Sequence, residues 1–428
     1  MDRTGMFEPK TYEDVFKPIG EATTLPAWCY TSREWFEKEK ETVFGGAWHF
    51  VCLESSLAPG QFVTREFLGN NILVLKNAHG KIKAFYNTCR HRGAPITDEK
   101  TGQAKALVCP YHKWAYDLDG KLLKANGLTA ESRQRTTCNL NLRQISVEVA
   151  CNLVFVNFSK QHVSLREYLG DYIESVAMPH RIDRMRCIHH REYTLCSNWK
   201  LYIEVDMETL HTPCIHSDSI GKQPVEVLQG AGEWLGVFNR SADTPALKPA
   251  YRTKGFPHTH GIYGEGSNGT HFCVILPGFF IVTAQDCMWW IQKTPISENK
   301  VSVNVGYCFP EETLEREDFE SVYRRYKERW DQVVEEDDWI TEYQQKGLND
   351  LVSGIYTDQE RVVQMLDQRI LRKVLGDRLA GTSEKHDATD PAVAMSGLGQ
   401  AGPSTCESTC NTNYESICEN THESTCEG

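Results

Sequence analysis

The sequence lacks the features that would assign the protein to a membrane or to nucleic acid. No apolar run approaches the roughly 18 residues that a spanning helix needs. The first eight residues carry neither the basic nor the apolar segment of a secretory signal, so we expect a cytoplasmic protein. Positive charge is in deficit, with 46 Lys and Arg against 58 Asp and Glu, which argues against nucleic acid as the main partner.

The length and the cysteine count narrow the protein class further. The 428 residues, of which 40% are hydrophobic, allow two or three domains with sizeable cores. In a reducing compartment the 16 cysteines should be free thiols or metal ligands rather than disulfides. The spacing of the cysteines is therefore the first place to look for chemistry.

Changes in residue pattern divide the chain into four segments and predict an α+β fold. Short runs of Val, Ile, Phe and Tyr that alternate with turn residues predict an all-β domain, and mixed strand and helix patterns follow it. Ser32 is the expected N-cap of the main helix near the start. The predicted segments are 1–45 (helical), 46–160 (all-β), 161–380 (α+β, an antiparallel sheet with helices) and 381–428 (a disordered acidic tail with Cys406, Cys410, Cys418 and Cys426).

Two cysteines are each followed closely by a histidine, in loops of the predicted all-β domain. Cys89 and His91 are separated by one residue, and Cys109 and His112 by two. Two thiolates and two imidazoles suit either zinc or an iron–sulfur cluster. The unlike spacing of the two pairs favours a Rieske [2Fe-2S] cluster, in which two Cys hold one iron and two His hold the other, over a zinc ribbon.

A second group of metal ligands is expected in the α+β segment. A helix predicted over about 198–211 places Glu204, Glu208 and His211 on one face. Pro213 should end this helix so that His216 can turn towards the same metal. Two His and one carboxylate form the facial triad of non-haem Fe(II) oxygenases. The residues alone leave the carboxylate open among Glu204, Asp206, Glu208, Asp337 and Asp338.

With these motifs the chain resembles the Rieske non-haem iron oxygenases, in the large (alpha) subunit of the ring-hydroxylating type. Residues 87–94 and 109–114 look like the two cluster loops of that family, although Lys113 stands where the family usually has glycine. The resemblance spans both main domains and is closest in pattern to the choline and carnitine monooxygenases.

The resemblance implies a role for each candidate residue. Cys89, His91, Cys109 and His112 would bind the [2Fe-2S] cluster. His211 and His216 would bind a mononuclear Fe(II), with Asp337 as the third ligand and Asp338 as the fallback. Glu208 would link the cluster of one subunit to the iron of its neighbour by hydrogen-bonding a histidine on each side.

The function implied is that of an oxygenase component. It would use O2 to hydroxylate or oxidatively demethylate a small organic substrate, with electrons from NAD(P)H through a separate reductase or ferredoxin, in a homotrimer. Glu208 and the C-terminal region favour a quaternary ammonium or N-methyl substrate. The alternatives are an aromatic-ring dioxygenase and an iron–sulfur electron-transfer protein with a vestigial second site.

The substrate classes differ in the side chains that they require near the iron. A quaternary ammonium compound requires an aromatic cage or a carboxylate and no cationic clamp, whereas an aromatic acid requires an Arg or Lys. Trp289, Trp290, Tyr263 and Phe280 are candidates for a pocket or cage, although core positions are the commoner role of such residues. The sequence Gly264–Gly269 matches G-x-G-x-x-G, but an apolar strand follows it, so we interpret it as a turn.

Overall fold

A computed structural model describes residues 5–136, 138–348 and 353–376 of the chain. The described strands form four sheets in which every paired strand is antiparallel, and helices contact the largest of the sheets. The α+β fold class expected from the sequence is confirmed. The tail predicted for 381–428, with its four cysteines, lies outside the described residues.

The N-terminal segment contains several short helices in its described residues. It contains α1 (Trp28–Thr31) and α2 (Arg33–Glu39), and α2 continues into a π-helical turn, Lys40–Phe44. The Ser32 hydroxyl accepts a hydrogen bond from the Trp35 amide at 3.3 Å, so the predicted N-cap is confirmed.

The all-β part of the chain, called the β module below, has three small sheets in its described residues. Their strand orders are β1-β10-β9, β4-β3-β2-β5 and β6-β7-β8. The two Cys–His motifs lie in the loops after β4 and after β6. The elements are β1 (His49–Leu53), β2 (Gln61–Phe67), β3 (Asn70–Lys76), β4 (Ile82–Tyr86), β5 (Thr101–Gln103), β6 (Leu107–Val108), β7 (Ala115–Tyr116), β8 (Leu122–Lys124), α3 (Ala130–Arg135), β9 (Ser146–Ala150) and β10 (Leu153–Asn157).

The rest of the chain is built on a seven-stranded antiparallel sheet, called the large sheet below. Its strand order is β11-β17-β16-β15-β14-β13-β12. The elements are α4 (Leu165–Leu169), a π-helical turn (Ile173–Ala177), β11 (Met185–Leu195), α5 (Trp199–Asp206), α6 (Thr212–Ile215), β12 (Glu226–Gln229), β13 (Trp234–Arg240), β14 (Gly269–Ile275), β15 (Phe279–Thr283), β16 (Met288–Ser297), β17 (Lys300–Pro310), α7 (Glu311–Leu314), α8 (Phe319–Gly347) and α9 (Arg361–Leu375).

Charged and apolar residues at helical spacing predict a long amphipathic helix from about 312 to 346. The structure has α8 there, which starts several residues later. The glycine motif forms a 3₁₀ turn, Gly264–Ser267, that leads directly into β14, so it lacks the helix of a dinucleotide fingerprint. No described helix has the length and apolar character needed to cross a bilayer.

Helix α8 packs on the large sheet through one buried indole. The Trp330 ring lies with its centroid 4.6 Å from Tyr307 on β17 and 5.6 Å from Trp289 on β16. Trp330 is 1% exposed. Because aromatic contacts of this size bury much apolar area, they fix the position of α8, and with it the buried side chain of Asp337.

The β module shares a hydrophobic core with the large sheet. Phe50 of β1 stacks on Phe279 of β15 at 3.9 Å between centroids and meets Trp290 edge-on at 5.0 Å. Phe155 of β10 packs on Phe279 at 5.8 Å. The two units are therefore joined by a fully buried aromatic contact rather than by a linker alone.

A buried carboxylate ties the N-terminal helices to α5. Glu39 is inaccessible to solvent and accepts hydrogen bonds from the indoles of Trp35 (2.9 Å) and Trp199 (3.0 Å). It also pairs with the buried ammonium of Lys200 at 2.7 Å. Since removing one partner would leave the other charge buried and unpaired, the start of α5 is firmly positioned.

Outside the metal motifs, nine of the ten described cysteines are free thiols, as expected from the sequence. The prediction that no cysteine forms a disulfide is wrong for Cys196, which is disulfide-bonded. Five of the free thiols are buried: Cys29, Cys52, Cys273, Cys287 and Cys308. Cys138 and Cys214 are exposed exceptions. The buried thiols belong to hydrophobic cores, as expected for small apolar side chains.

A buried histidine of the large sheet, His271 on β14, forms a neutral pair with the buried His180. His180 Nδ1 lies 3.2 Å from the Ala284 carbonyl oxygen, so this nitrogen must carry a proton and donate it. His180 Nε2 then accepts from Nδ1 of His271 at 2.8 Å. Burial, reinforced by the neighbouring ring, lowers the pKa of His180 to about 3, and burial lowers the pKa of His271 to about 4.

This pair predicts a loss of stability in mild acid. Below the ordinary histidine pKa of about 6.5 the unfolded chain binds protons that the folded chain excludes, so the free energy of unfolding falls as the pH falls towards 4. Each imidazole should contribute about 2 kcal/mol of destabilisation between pH 6.5 and 5. We expect the difference in Tm between pH 7.5 and pH 5 to be smaller in His271→Gln than in the wild type. The exposed control His79→Gln should keep the wild-type difference, and an unchanged difference in His271→Gln would contradict the prediction.

Candidate metal centres and their cavity

The two Cys–His loops close in the same way and present their side chains at one end of the β module. The amide of Cys89 donates to the Ala94 carbonyl at 2.8 Å, and that of Cys109 donates to the Trp114 carbonyl at 2.9 Å. In the first loop Gly93 has φ +82°, and in the second Lys113 has φ +56°. Lys113 therefore adopts the left-handed conformation that glycine favours, at a cost of about 1–2 kcal/mol.

The four donors of these loops match the chemistry of a [2Fe-2S] cluster. Both thiols are buried, at 3% and 1% residue exposure for Cys89 and Cys109, whereas His91 is exposed. The Nδ1 atoms of His91 and His112 face each other at 3.0 Å, as two imidazoles do when they share one metal. A closed Cys₂His₂ set with thiols inside and imidazoles outside fits the group that the motif predicts.

Neighbouring aromatic residues orient two of these donors. The His91 ring stacks on Trp114 at 4.8 Å between centroids. The Tyr116 hydroxyl lies 3.4 Å from Cys89 Sγ and accepts a hydrogen bond from the Arg90 amide at 3.1 Å. Burial raises the pKa of the Cys89 thiol, and the contact with Tyr116 acts in the opposite direction.

The helix predicted to carry Glu208 and His211 ends earlier than expected. Helix α5 stops at Asp206, and the Glu208 carboxylate accepts hydrogen bonds from the amides of Leu210 and His211. This side chain competes with helix continuation, as capping carboxylates do. Pro213 lies in the first turn of α6 and does not end the preceding helix, so both predictions were wrong in this detail.

The broken helix still brings the two predicted histidines together with Asp337. Ligand atoms of His211, His216 and Asp337 all lie within 4.8 Å of one another. Oδ1 of Asp337 lies 2.9 Å from Nε2 of His216 and 3.7 Å from Nε2 of His211. The Nε2 atoms of the two histidines and Oδ1 of Asp337 thus converge on one point, where they could bind a single cation.

Each imidazole is also contacted by a carboxylate at Nδ1, on the side of the ring opposite the converging Nε2 atoms. Glu208 Oε1 contacts Nδ1 of His211, and Glu336 Oε2 contacts Nδ1 of His216 at 2.6 Å. Carboxylates in this position fix the tautomer and leave Nε2 free for a metal. Burial alone would lower the pKa of His216, but Asp337 and Glu336 raise it to about 9, which reflects an excess of negative charge that a divalent cation would balance.

The other carboxylates left open by the sequence have different partners. Asp338 accepts from the Tyr193 hydroxyl at 3.0 Å, and Glu204 accepts from the Tyr30 hydroxyl at 2.8 Å. Asp206 pairs with the buried ammonium of Lys293. Nothing in the sequence distinguishes Glu336, because its place in an acidic helix resembles that of an ordinary solvated residue.

The three converging residues form part of the wall of an apolar cavity. The cavity measures about 690 Å³, counted with its opening to solvent. Of the candidate aromatic residues, Phe280 and Trp289 line it, whereas Trp290 packs in the core with Phe50 and Tyr263 is exposed elsewhere. Other residues of the wall are Glu208, Val225, Val237, Phe272, Ile291, Arg329, Trp330, Val333 and Val334.

Two family models match the chain. Residues 47–139 match the Rieske [2Fe-2S] domain, and residues 182–376 match the catalytic domain of the ring-hydroxylating alpha subunit. The match to the first covers both Cys–His loops, and the match to the second covers the three converging residues.

Curated relatives with similar sequences include monooxygenase and dioxygenase subunits. The glycine betaine monooxygenase oxygenase subunit of Pseudomonas aeruginosa UCBPP-PA14 is 24% identical over 79% of this chain and 86% of the relative. The carnitine monooxygenase oxygenase subunit of Acinetobacter pittii PHEA-2 is 30% identical over 48% of this chain and 56% of its own. The large subunit of anthranilate 1,2-dioxygenase from Burkholderia cepacia is 31% identical over 47% of this chain and 50% of its own.

Solved structures share the fold. A quaternary ammonium Rieske monooxygenase in complex with L-carnitine superposes with a TM-score of 0.67 at 21% identity, over 82% of this chain and 96% of its own. Naphthalene 1,2-dioxygenase with bound indole gives a TM-score of 0.68 at 16% identity, over 85% and 95%.

The convergence on Asp337 predicts the outcome of two adjacent substitutions. Asp337→Asn should lose the metal bound with His211 and His216, about one ion per chain, while the metal and acid-labile sulfide bound by the Cys–His loops remain. Asp338→Asn, the matched control, should keep both. Metal analysis by mass spectrometry with a sulfide assay measures this, and loss of the ion only in Asp338→Asn would contradict the assignment.

Proposed function

We propose that this chain, which belongs to the Rieske non-haem iron oxygenases as their large, oxygenase subunit, uses O2 to hydroxylate or oxidatively demethylate a small quaternary ammonium or N-methyl compound. The observation that carries the proposal is the convergence of His211, His216 and Asp337 on the wall of a cavity that also contains Phe272, Phe280, Trp289 and Trp330. Aromatic faces attract an alkylammonium group, and the three ligands leave room for a reacting substrate.

The ligand assignments belong to the proposal. Cys89, His91, Cys109 and His112 would bind a [2Fe-2S] cluster, and His211, His216 and Asp337 would bind Fe(II). When bound, these groups supply electron storage and O2 activation, respectively. The chain's own contribution is to orient the imidazoles through Glu208 and Glu336, and to enclose the reacting substrate in an apolar wall.

Electrons are proposed to come from NAD(P)H through a separate reductase or ferredoxin. In support, the glycine motif of the chain is a turn that leads into a strand, and it cannot bind a dinucleotide in the usual way. We also propose a homotrimer in which Glu208 connects to the cluster of a neighbouring subunit. The exposure of His91 and of Leu210, which lies two residues after Glu208, is consistent with such a contact.

A second candidate function is the dioxygenation of an aromatic acid. Arg329 lines the cavity, and an arginine is the side chain that an aromatic acid requires. Anthranilate 1,2-dioxygenase and 2-aminobenzenesulfonate 2,3-dioxygenase are among the relatives of this chain, at 31% identity over less than half of it.

Oxygen consumption tests the oxygenase proposal. With a reductase and glycine betaine, or with anthranilate as the second candidate substrate, we expect substrate-dependent O2 uptake that His211→Ala abolishes, because one of two imidazole ligands is lost. The exposed control His258→Ala should keep the wild-type rate. Substrate-dependent O2 uptake that persists in His211→Ala would contradict the proposal. It would favour an electron-transfer protein with a vestigial second site.

The role of Glu208 can be tested separately from metal binding. Glu208→Gln keeps the size of the side chain but removes the charge that orients His211, so we expect O2 uptake to fall about 10–100-fold with both metal groups retained. The chemically reduced cluster should also be reoxidised more slowly by O2 when substrate is present, as followed by its visible absorbance. The exposed Glu66→Gln serves as control, and wild-type reoxidation in Glu208→Gln would contradict the proposed role.

A further inference from the structure

Arg329 is the unusual residue of the cavity wall, because it is a buried cation that makes no ion pair among the described residues. The charge of Asp337 acts on it only from beyond ion-pair distance. It lies on α8, lines the cavity, and is 2% exposed. Among the described residues its guanidinium makes no hydrogen bond and no ion pair, and Nε is completely buried without an acceptor. Its guanidinium lies over the face of Trp289, with 5.4 Å between Cζ and the ring centroid.

Two other buried cations, both lysines, are each paired with a carboxylate. Lys200 has Glu39 at 2.7 Å, and Lys293 has Asp206. Arg252, whose charge acts on Arg329, is a second cation, and it donates to the Ile220 carbonyl rather than to a carboxylate. Because burying an unpaired charge is costly, the absence of a partner for Arg329 within the described chain points to a partner from outside it.

A second donor on the same wall also has no acceptor. The next residue, Trp330, lines the cavity, and its indole Nε1 is buried without a hydrogen-bond partner among the described residues. Burial lowers the pKa of Arg329 to about 10, so the guanidinium remains charged at neutral pH. The wall therefore carries a positive charge beside the aromatic faces, with two buried donors that lack acceptors among the described residues.

We propose that Arg329 binds an anionic group, a carboxylate or a sulfonate, of the substrate and so determines which molecules the cavity accepts. This inference rests on the proposed function, since it concerns the substrate of the same site. A guanidinium offers two parallel N–H donors that match the two oxygens of such a group. Arg329 and Asp337 are eight residues apart on α8 and both line the cavity, so one small molecule could contact Arg329 through its anionic group and place its reacting group near Asp337.

The proposal changes how the two candidate substrate classes are separated. An arginine in the cavity does not exclude a quaternary ammonium compound, because a betaine carries both an ammonium group and a carboxylate. Arg329 would bind the carboxylate while the aromatic wall contacts the methylated nitrogen. A simple quaternary ammonium without an anionic group would leave Arg329 unpaired.

Two matched ligand pairs test the proposal with the full-length, metal-loaded protein. Glycine betaine has a carboxylate where choline has an alcohol, and anthranilate has a carboxylate that aniline lacks. By isothermal titration calorimetry we expect the wild type to bind the anionic member of at least one pair tenfold or more tightly. Arg329→Met should lose that preference, and Arg329→Lys should keep only part of it, because charge remains while the forked donor is lost.

Stability separates substrate binding from a structural role. Replacing an unpaired buried charge by an apolar side chain of similar length should leave the Tm of Arg329→Met no lower than that of the wild type. Arg324→Met, at an exposed position of the same helix, should change neither the Tm nor the preference. The proposal is overturned if the wild type shows no anion preference in either pair, if the preference survives in Arg329→Met, or if that variant loses stability.

Failure of this proposal and failure of the oxygenase proposal give different results. If the anion preference survives in Arg329→Met while O2 uptake still depends on His211, the substrate inference is wrong and the oxygenase function stands. If Arg329 controls binding but no ligand gives O2 uptake that depends on His211, the function is wrong.

Discussion

The ion pair between Asp206 and Lys293 fixes the geometry on which the mononuclear site depends. Both side chains are fully buried, at 2% and 0% side-chain exposure, and Asp206 is the last residue of α5. The ammonium also lies 4.5 Å from the Tyr202 ring and 4.9 Å from that of Phe280. Because neither charge can be left alone inside the protein, the end of α5 is tied to β16, and the chain has to turn there towards Glu208 and His211.

Helix α8 supplies the opposing half of the same site. It carries Asp337, the carboxylate that meets both imidazoles, and Glu336, which holds His216 from behind. Two turns earlier it carries Arg329, and between them Trp330 anchors the helix to the sheet. A helix packed along its length is rigid, so the separation of Arg329 and Asp337 along the cavity wall is set by one element rather than by loops.

The sequence predicts the short-range parts of the sites well and the long-range parts poorly. Cys89, His91, Cys109 and His112 are recognisable because their spacing is local, and the same holds for His211 and His216. The end of α5 could not be predicted, since a side-chain cap by Glu208 overrides a helical pattern that continues beyond it. Arg329 lies in a run of charged residues of α8, and only packing against Trp289 distinguishes it from its solvated neighbours.

The aromatic contact between Phe50 and Phe279 bears on how this architecture can change. The large sheet covers an apolar face of the β module, so the module would expose that face to water if it were separated from the sheet. Transplanting a foreign module onto this catalytic unit would require a donor with matching rings at Phe50 and Phe155. Recombination among relatives is thus constrained at the aromatic interface between the β module and the large sheet. Side chains around the cavity, in contrast, can change one at a time. Substrate choice can therefore diversify without any exchange of the β module.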